Sequence, residues 1–202
     1  MLLRVIEWAL RKELNGIPIQ SEWADLRRLR KKPESLVERI NAASILYPSD
    51  ILFIHRDAEK ENYGTRRSEI QAAVDSLGSM IPFVAVIPIR MSEAWLLINE
   101  DSIRMASNNP HGAMVLNLPK ISSLETLPDP KESIHNLLIL ASGVKGNRRK
   151  KTFKADISRF VHLVAEHISD YSPLEHLSAF KAFQRELIST LTVVRSSKNL
   201  NT

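Results

Sequence analysis

The spacing of apolar residues predicts helices and strands in alternation over the first half of the chain. Leu3, Ile6, Leu10 and Leu14 recur at helical spacing, which indicates an amphipathic opening helix. The segment 81–89 is a continuous apolar run, as expected of a strand that is covered on both faces. After the opening helix, the pattern predicts a strand at 16–23 and then a helix that is capped by Ser35 and Glu38 and runs through Tyr47. A strand at 50–55 and a helix from about Thr65 to Leu77 follow. The strand at 81–89 comes next, and then a helix from near Ser92 to about Ala106.

This alternation predicts an α/β fold with a mostly parallel sheet flanked by helices, because parallel strands need crossover connections. The pattern then becomes helical. Asp129, Pro130 and Glu132 form a strong helix start signal, and two further helices are predicted at 153–169 and 173–192, followed by a frayed tail. We therefore expect an α/β domain over 1–125 and an α-helical C-terminal extension over 126–202 that packs on it.

Composition excludes several classes of function. The 202 residues include no cysteine, which rules out disulfides, thiolate metal sites and cysteine nucleophiles. There is no phosphate-binding loop of the nucleotide hydrolases. Early charges in "MLLRVIEWALRKEL" are unlike a secretory signal, and no uncharged apolar stretch approaches the length that a bilayer requires. The expectation is a cytoplasmic protein with no membrane partner, whose oligomeric state the sequence leaves open.

Carboxylates follow the ends of two predicted strands. Asp57 and Glu59 come just after the strand in "ILFIHRDAEKEN", and Glu93 follows the strand at 81–89. Functional groups of an open parallel sheet collect beyond the carboxyl ends of its strands, so the three acids are expected on one rim. Such carboxylates repel one another unless they share a cation, and their hard oxygen atoms suit Mg²⁺ or Mn²⁺. The structural alternative is that Asp57 is a turn residue and Glu93 a first-turn helix acid.

Basic residues near these acids suggest contact with phosphate. Arg56, Arg66 and Arg90 lie close to the strand ends in sequence and are candidates to bind a phosphate group. The chain has a mild basic excess, a formal charge of +5, and two basic runs, at 27–32 and 145–151. The second run contributes Arg148, Arg149 and Lys150 as candidate contacts to DNA. The second run is expected to be a flexible loop. A solvated charged surface is the alternative explanation for either run.

Three segments in this order resemble a known family. "HRDAE", "IPIRMSEAWLL" and "LPDPK" are similar to a Toprim-like family of uncharacterised bacterial proteins, related to the Toprim domains of topoisomerases, primases and overcoming-lysogenization-defect nucleases. The resemblance implies that Asp57 and Glu59 are the metal-binding acidic pair. It matches Glu93 to the acid of the Glu-Ala-Trp segment, to which it gives no role.

The resemblance implies a Mg²⁺- or Mn²⁺-dependent nuclease that acts on DNA, in a phage-defence or mobile-element system with an ATPase partner. Asp57, Glu59 and Glu93 are then the candidate catalytic residues. Toprim domains open with a strand that ends in a glutamate, whereas Met1 already lies in the predicted first helix, so that strand and its glutamate are expected to be absent here. The alternative function is a non-catalytic, Toprim-derived binding or regulatory subunit of an ATPase complex.

Overall fold

A computed structural model describes residues 1–59, 61–78 and 81–199 of the chain. Over these residues the protein is mixed α/β and mostly helical. The elements are α1 Leu2–Leu14, α2 Leu36–Leu46, β1 Leu52–His55, α3 Tyr63–Asp75, β2 Phe83–Val86, α4 Glu100–Ala106, α5 Pro130–Ser142, α6 Asn147–Ala155, α7 Ile157–His167 and α8 Ser178–Asn199. Short 3₁₀ helices lie at Leu26–Arg28, Ser92–Leu96, Ile121–Thr126 and Ser172–His176.

The two strands form a small parallel sheet, in which Leu52 pairs with Phe83 and His55 with Val86. Because side chains alternate across a strand, β2 supplies residues to both faces of the sheet. Val84 and Val86 belong to a large hydrophobic core, and Ala85 belongs to a smaller one. Thr190 of α8 donates a hydrogen bond to the Phe83 carbonyl.

The two cores divide the helices between them. The smaller core joins α2 and α3 to the sheet through residues such as Ile40 and Ile70. The larger core joins α1, the 3₁₀ helix Ser92–Leu96 and the C-terminal helices. Its centre contains Trp95, whose ring lies 5.4 Å from Phe180 and 6.4 Å from Phe183. The helices predicted for 126–202 thus share a core with elements from the first half of the chain.

Local capping explains where several helices begin. Ser35 accepts a hydrogen bond from the Glu38 amide, and the Glu38 carboxylate accepts one from Ser35, which completes the predicted capping box. Asp129 accepts a hydrogen bond from the Glu132 amide at the start of α5, as predicted. Both helices therefore begin where their sequence signals indicate.

Some sequence predictions were wrong. The described chain has no strand at 16–23; Pro18 lacks an amide donor, and the side chains of Ile17 and Trp23 are 53% and 58% exposed, so the apolar alternation there marks no buried face. The sheet has two strands in the described residues, fewer than predicted.

Four other predicted segments also differ from the structure. The helix predicted from Ser92 is a 3₁₀ helix followed by α4, because Asn99 caps a new helix by accepting a hydrogen bond from the Ser102 amide. The expected flexible loop at 145–151 lies largely within α6, and the predicted helix at 153–169 is broken at Asp156 between α6 and α7. Helix α8 continues to Asn199, into the predicted tail; residues 200–202 lie outside the described chain. Within the part of the chain that is described, no helix is long and apolar enough to cross a bilayer.

Candidate functional site

Backbone pairing continues past the ends of both strands and brings the predicted arginines and acids together. The amide of Arg56 donates to the Val86 carbonyl at 3.2 Å, and the amide of Glu59 donates to the Arg90 carbonyl at 3.1 Å. The segment after β1 therefore lies alongside the segment after β2. We call the side chains at this end the strand-end cluster, which comprises His55, Arg56, Asp57, Glu59, Arg66, Glu69 and Arg90.

Two residues of this cluster have left-handed backbone conformations. The φ angles are 54° at Glu59 and 70° at Arg90, and these residues are joined by the backbone hydrogen bond above. Left-handed backbone is uncommon outside glycine and costs on the order of 1 kcal/mol or more for each residue. Unfavourable backbone is often concentrated at functional sites, and here it occurs where the sequence places an acid and an arginine.

Ion pairs organise the side chains of the strand-end cluster. Asp57 Oδ1 lies 3.1 Å from Nε2 of His55, and both side chains are partly buried. Glu69, on α3, lies between two arginines: its Oε2 is 3.4 Å from Arg56 and 3.0 Å from Arg66. The Glu69 carboxylate therefore holds the two guanidinium groups close together beside the acids.

Arg66 has an unused hydrogen-bond donor. Its Nε is buried and has no hydrogen-bond acceptor in the described chain. The hydrogen bond to Glu69 raises the pKa of Arg66 above its ordinary value, and the charges of Glu61 and Glu59 raise it further. The Arg66 guanidinium, which lies near Glu59, therefore stays charged. Its Nε is a buried donor without an acceptor, which normally indicates an additional partner.

Glu93 faces a different region. It lies on the 3₁₀ helix Ser92–Leu96 and lines a cavity of about 150 Å³ together with Lys131, His135 and His162. A second cavity, of about 290 Å³, shares His135 as a wall. We call the two cavities the helical cleft; its lining includes Glu93, Lys131, Glu132, His135, Asn136, Ile139, Lys154 and Ile157.

The polar side chains of the helical cleft have no internal partners. In the described chain, no hydrogen bond or ion pair is formed by the side chains of Glu93, Lys131, Glu132, His135, Asn136 or Lys154. Burial lowers the pKa of His135, the charge of Lys131 lowers it further, and Glu93 acts in the opposite direction. The imidazole is therefore neutral at pH 7, and one ring nitrogen can accept a hydrogen bond.

The acids that were predicted to share one rim do not form a three-residue metal site. Asp57, Glu59 and Glu93 all lie in the described residues, among which no group of three acids or histidines is placed to hold a metal ion. Mg²⁺, however, is usually held by only one or two carboxylates, with water and substrate phosphate completing its coordination. Carboxylate oxygens such as those of Asp57 and Glu59 are donors that Mg²⁺ prefers, whereas Glu93 lines the helical cleft.

The predicted basic contacts lie on two surfaces. Arg148, Arg149 and Lys150 are exposed on α6 and have no ion-pair partner among the described residues. In the run 27–32, Arg27 binds Asp25 and lowers the pKa of that carboxyl to about 2. The first surface is therefore the more available to a polyanion.

Sequence reasoning missed three residues of these regions. Glu69 lies three residues after Arg66 on the same helix, a spacing that favours an ion pair and offered a signal. Lys131 and His135 are far from Glu93 in sequence, and no local pattern connects them. A comparison of the chain with protein-family models, curated proteins and solved structures found no match.

Proposed function

We propose that the strand-end cluster is a Mg²⁺- or Mn²⁺-dependent site that hydrolyses phosphodiester bonds of DNA, as the Toprim-like resemblance implies. One observation carries the proposal. Asp57 and Glu59 lie at the carboxyl end of a parallel sheet, where active sites of such sheets form, and two guanidinium groups that Glu69 holds together lie at the same end.

The chemistry assigns a role to each group. Asp57 and Glu59 would hold the metal ion, which supplies Lewis-acid stabilisation of a phosphate oxygen. Arg56 and Arg66 would bind the phosphate, and the unpaired Nε of Arg66 is a donor for one of its oxygens. Glu69 is a positioning residue, because it fixes both arginines. Arg90 would add positive charge at the same end of the sheet.

A non-catalytic binding or regulatory subunit is the second candidate function. It is favoured by the hydrogen bond between His55 and Asp57, which uses one carboxylate oxygen, and by the separation of Glu93 from the acidic pair. In this function the exposed basic face of α6 would bind DNA without cleavage. An ATPase partner, a cytoplasmic location and a phage-defence or mobile-element setting belong to the proposal through the resemblance alone.

Calorimetric titration with Mn²⁺ tests the metal site. The wild type is expected to bind Mn²⁺, and Asp57→Asn is expected to weaken binding at least tenfold. Asp101→Asn, at an exposed position in the first turn of α4, is the matched control and is expected to bind like the wild type. Absence of binding by the wild type at millimolar Mn²⁺ would exclude the metal-dependent function and leave the binding subunit.

A plasmid assay then separates the two functions. Mn²⁺-dependent nicking by the wild type that is lost in Asp57→Asn supports the nuclease. DNA binding without nicking, at a Mn²⁺ concentration that saturates the site, supports the non-catalytic subunit.

A further inference from the structure

The helical cleft has the properties of a binding site that no part of the proposed mechanism uses. Its larger cavity, about 290 Å³, is slightly smaller than typical small-molecule sites, which are roughly 300–1,000 Å³. Polar side chains from α5 and α6 line this cavity without internal hydrogen bonds or ion pairs in the described chain. These side chains are therefore available to a ligand.

The charges of the cleft indicate a neutral polar ligand in its interior. Glu93 and Glu132 offset Lys131 and Lys154, and His135 is neutral at pH 7 because burial lowers its pKa. A phosphate in the larger cavity would lie beside the Glu132 carboxylate, which would repel it. A heterocycle with both donors and acceptors matches the mixed set, because the acids accept hydrogen bonds, the ammonium groups donate them and Asn136 does both.

Two isoleucines supply the apolar component of the site. Ile139 of α5 and Ile157 of α7 both line the larger cavity. Enzymes that bind an unstacked nucleobase read its polar edge with hydrogen bonds and pack its faces on apolar or aromatic side chains. The cleft combines the two kinds of contact.

Lysines of α6 give one side of the rim a positive charge. Lys154 lines the cavity from α6, and Lys150 and Lys151 precede it by four and three residues, which places them on the same side of the helix. Both are exposed and have no ion-pair partner in the described chain. Helix α6 is anchored by the stacking of Phe153 on Phe160, with ring centroids 4.3 Å apart. Positive charge outside a neutral polar cavity matches a nucleotide, which has an anionic phosphate and an uncharged base.

We propose that the helical cleft binds one nucleotide unit, with its base among Glu132, His135 and Asn136 and its phosphate on the lysines of α6. The source of the unit is a free mononucleotide or an unpaired nucleotide of a strand. The choice of DNA as the strand rests on the proposed function, whereas the cleft itself does not require metal or catalysis.

Binding measured in EDTA keeps this proposal separate from the metal site. Fluorescence anisotropy would follow a labelled single-stranded oligonucleotide, with deoxynucleoside monophosphates and the matching duplex as competitors. Asn136→Trp fills the cleft from an exposed position of α5, and Asn41→Trp, at an exposed position of α2, is the matched control.

The expected result is that Asn136→Trp weakens oligonucleotide binding at least tenfold while Asn41→Trp does not change it. Competition by monophosphates would identify a free nucleotide as a sufficient ligand; competition by single strands alone would identify a strand as the source. Equal binding by Asn136→Trp and the wild type would overturn the proposal, as would the absence of any binding by the wild type. Unchanged thermal unfolding of each variant shows that the fold is retained.

The lysines of α6 have their own test. The double variant Lys150→Gln, Lys151→Gln should reduce the slope of log K against log salt concentration by about 0.7, because the bound unit has one phosphate and each phosphate contact on a single strand contributes about 0.7. Lys31→Gln, Lys32→Gln, at exposed positions of the other basic run, should leave the slope unchanged. An equal decrease of the slope in both double variants would overturn the proposal, because surface lysines would then bind the strand without the cleft.

Discussion

The strand-end cluster and the helical cleft hold similar side chains in opposite states. In the strand-end cluster several side chains bind one another: a hydrogen bond joins His55 and Asp57, and Glu69 forms ion pairs with two arginines. In the helical cleft the acids, lysines and His135 form no such pairs within the described chain. The first region is held in place by its own ion pairs, and the second is held by the packing of the helices around it.

This difference bears on what each region can bind. Paired arginines and acids keep a fixed geometry, which suits the orientation of a phosphate and a metal ion. The unpaired polar groups of the cleft, whose two acids offset its two lysines, can form hydrogen bonds with a ligand. The two regions are therefore expected to respond to different ligands and to different substitutions.

The largest expected effect comes from the packing that supports the helical cleft. Trp95 is 1% exposed and lies on the same 3₁₀ helix as Glu93. Trp95→Ala should lower the free energy of unfolding by about 3–5 kcal/mol, because it leaves a cavity in the larger core. Chemical denaturation measures the loss. Trp23→Ala, at an exposed position, is the control and should stay within about 0.5 kcal/mol of the wild type; a similar loss in both would contradict the assigned packing.

The metal affinity should separate the two acidic positions. Asp57→Asn is expected to weaken Mn²⁺ binding at least tenfold, whereas Glu93→Gln is expected to change it less than twofold, because Glu93 faces the cleft. Calorimetry on both variants measures the difference. Equal losses in both would show that the regions form one site and that the comparison is wrong.

A smaller effect is expected for the ion pairs of Glu69. Glu69→Gln should lower the free energy of unfolding by at most about 1 kcal/mol, because the carboxylate is more than one third exposed and water screens its pairs. Urea denaturation measures this change. A stability loss above about 2 kcal/mol would indicate a buried structural pair instead.

The smallest expected effect is the pH dependence from His135. Because burial lowers its folded-state pKa below the ordinary value of 6.5, the unfolded chain binds the proton more readily. The contribution of the neutral His135 imidazole to the free energy of unfolding is therefore fully present above pH 6.5 and is lost as the pH falls through the folded-state pKa. Thermal unfolding across this range should show the loss in the wild type and not in His135→Gln. An unchanged pH profile in the variant would contradict the burial of the imidazole.

Structural features that depend on residues adjacent in sequence were predicted correctly. Ser35 with Glu38, and Asp129 with Pro130, marked helix starts correctly because capping acts within one turn. The strand before Asp57 was found from its apolar run, with an end at His55 as predicted. The cleft could not be found this way, because Glu93 and His135 meet only through the packing of α5 on the 3₁₀ helix that carries Glu93. The sequence likewise showed the basic run at 145–151 but not that Phe153, by stacking on Phe160, anchors it as a helix.

The most direct test of the separation is a nitrogen-15 NMR spectrum recorded during titration with Mn²⁺, which is paramagnetic and broadens the signals of nearby amides. The account predicts early broadening at Arg56, Asp57, Glu59 and Arg90, while the amides of Lys131, His135 and Asn136 stay sharp. Early broadening at the helical cleft, or equal broadening in both regions, would contradict the account.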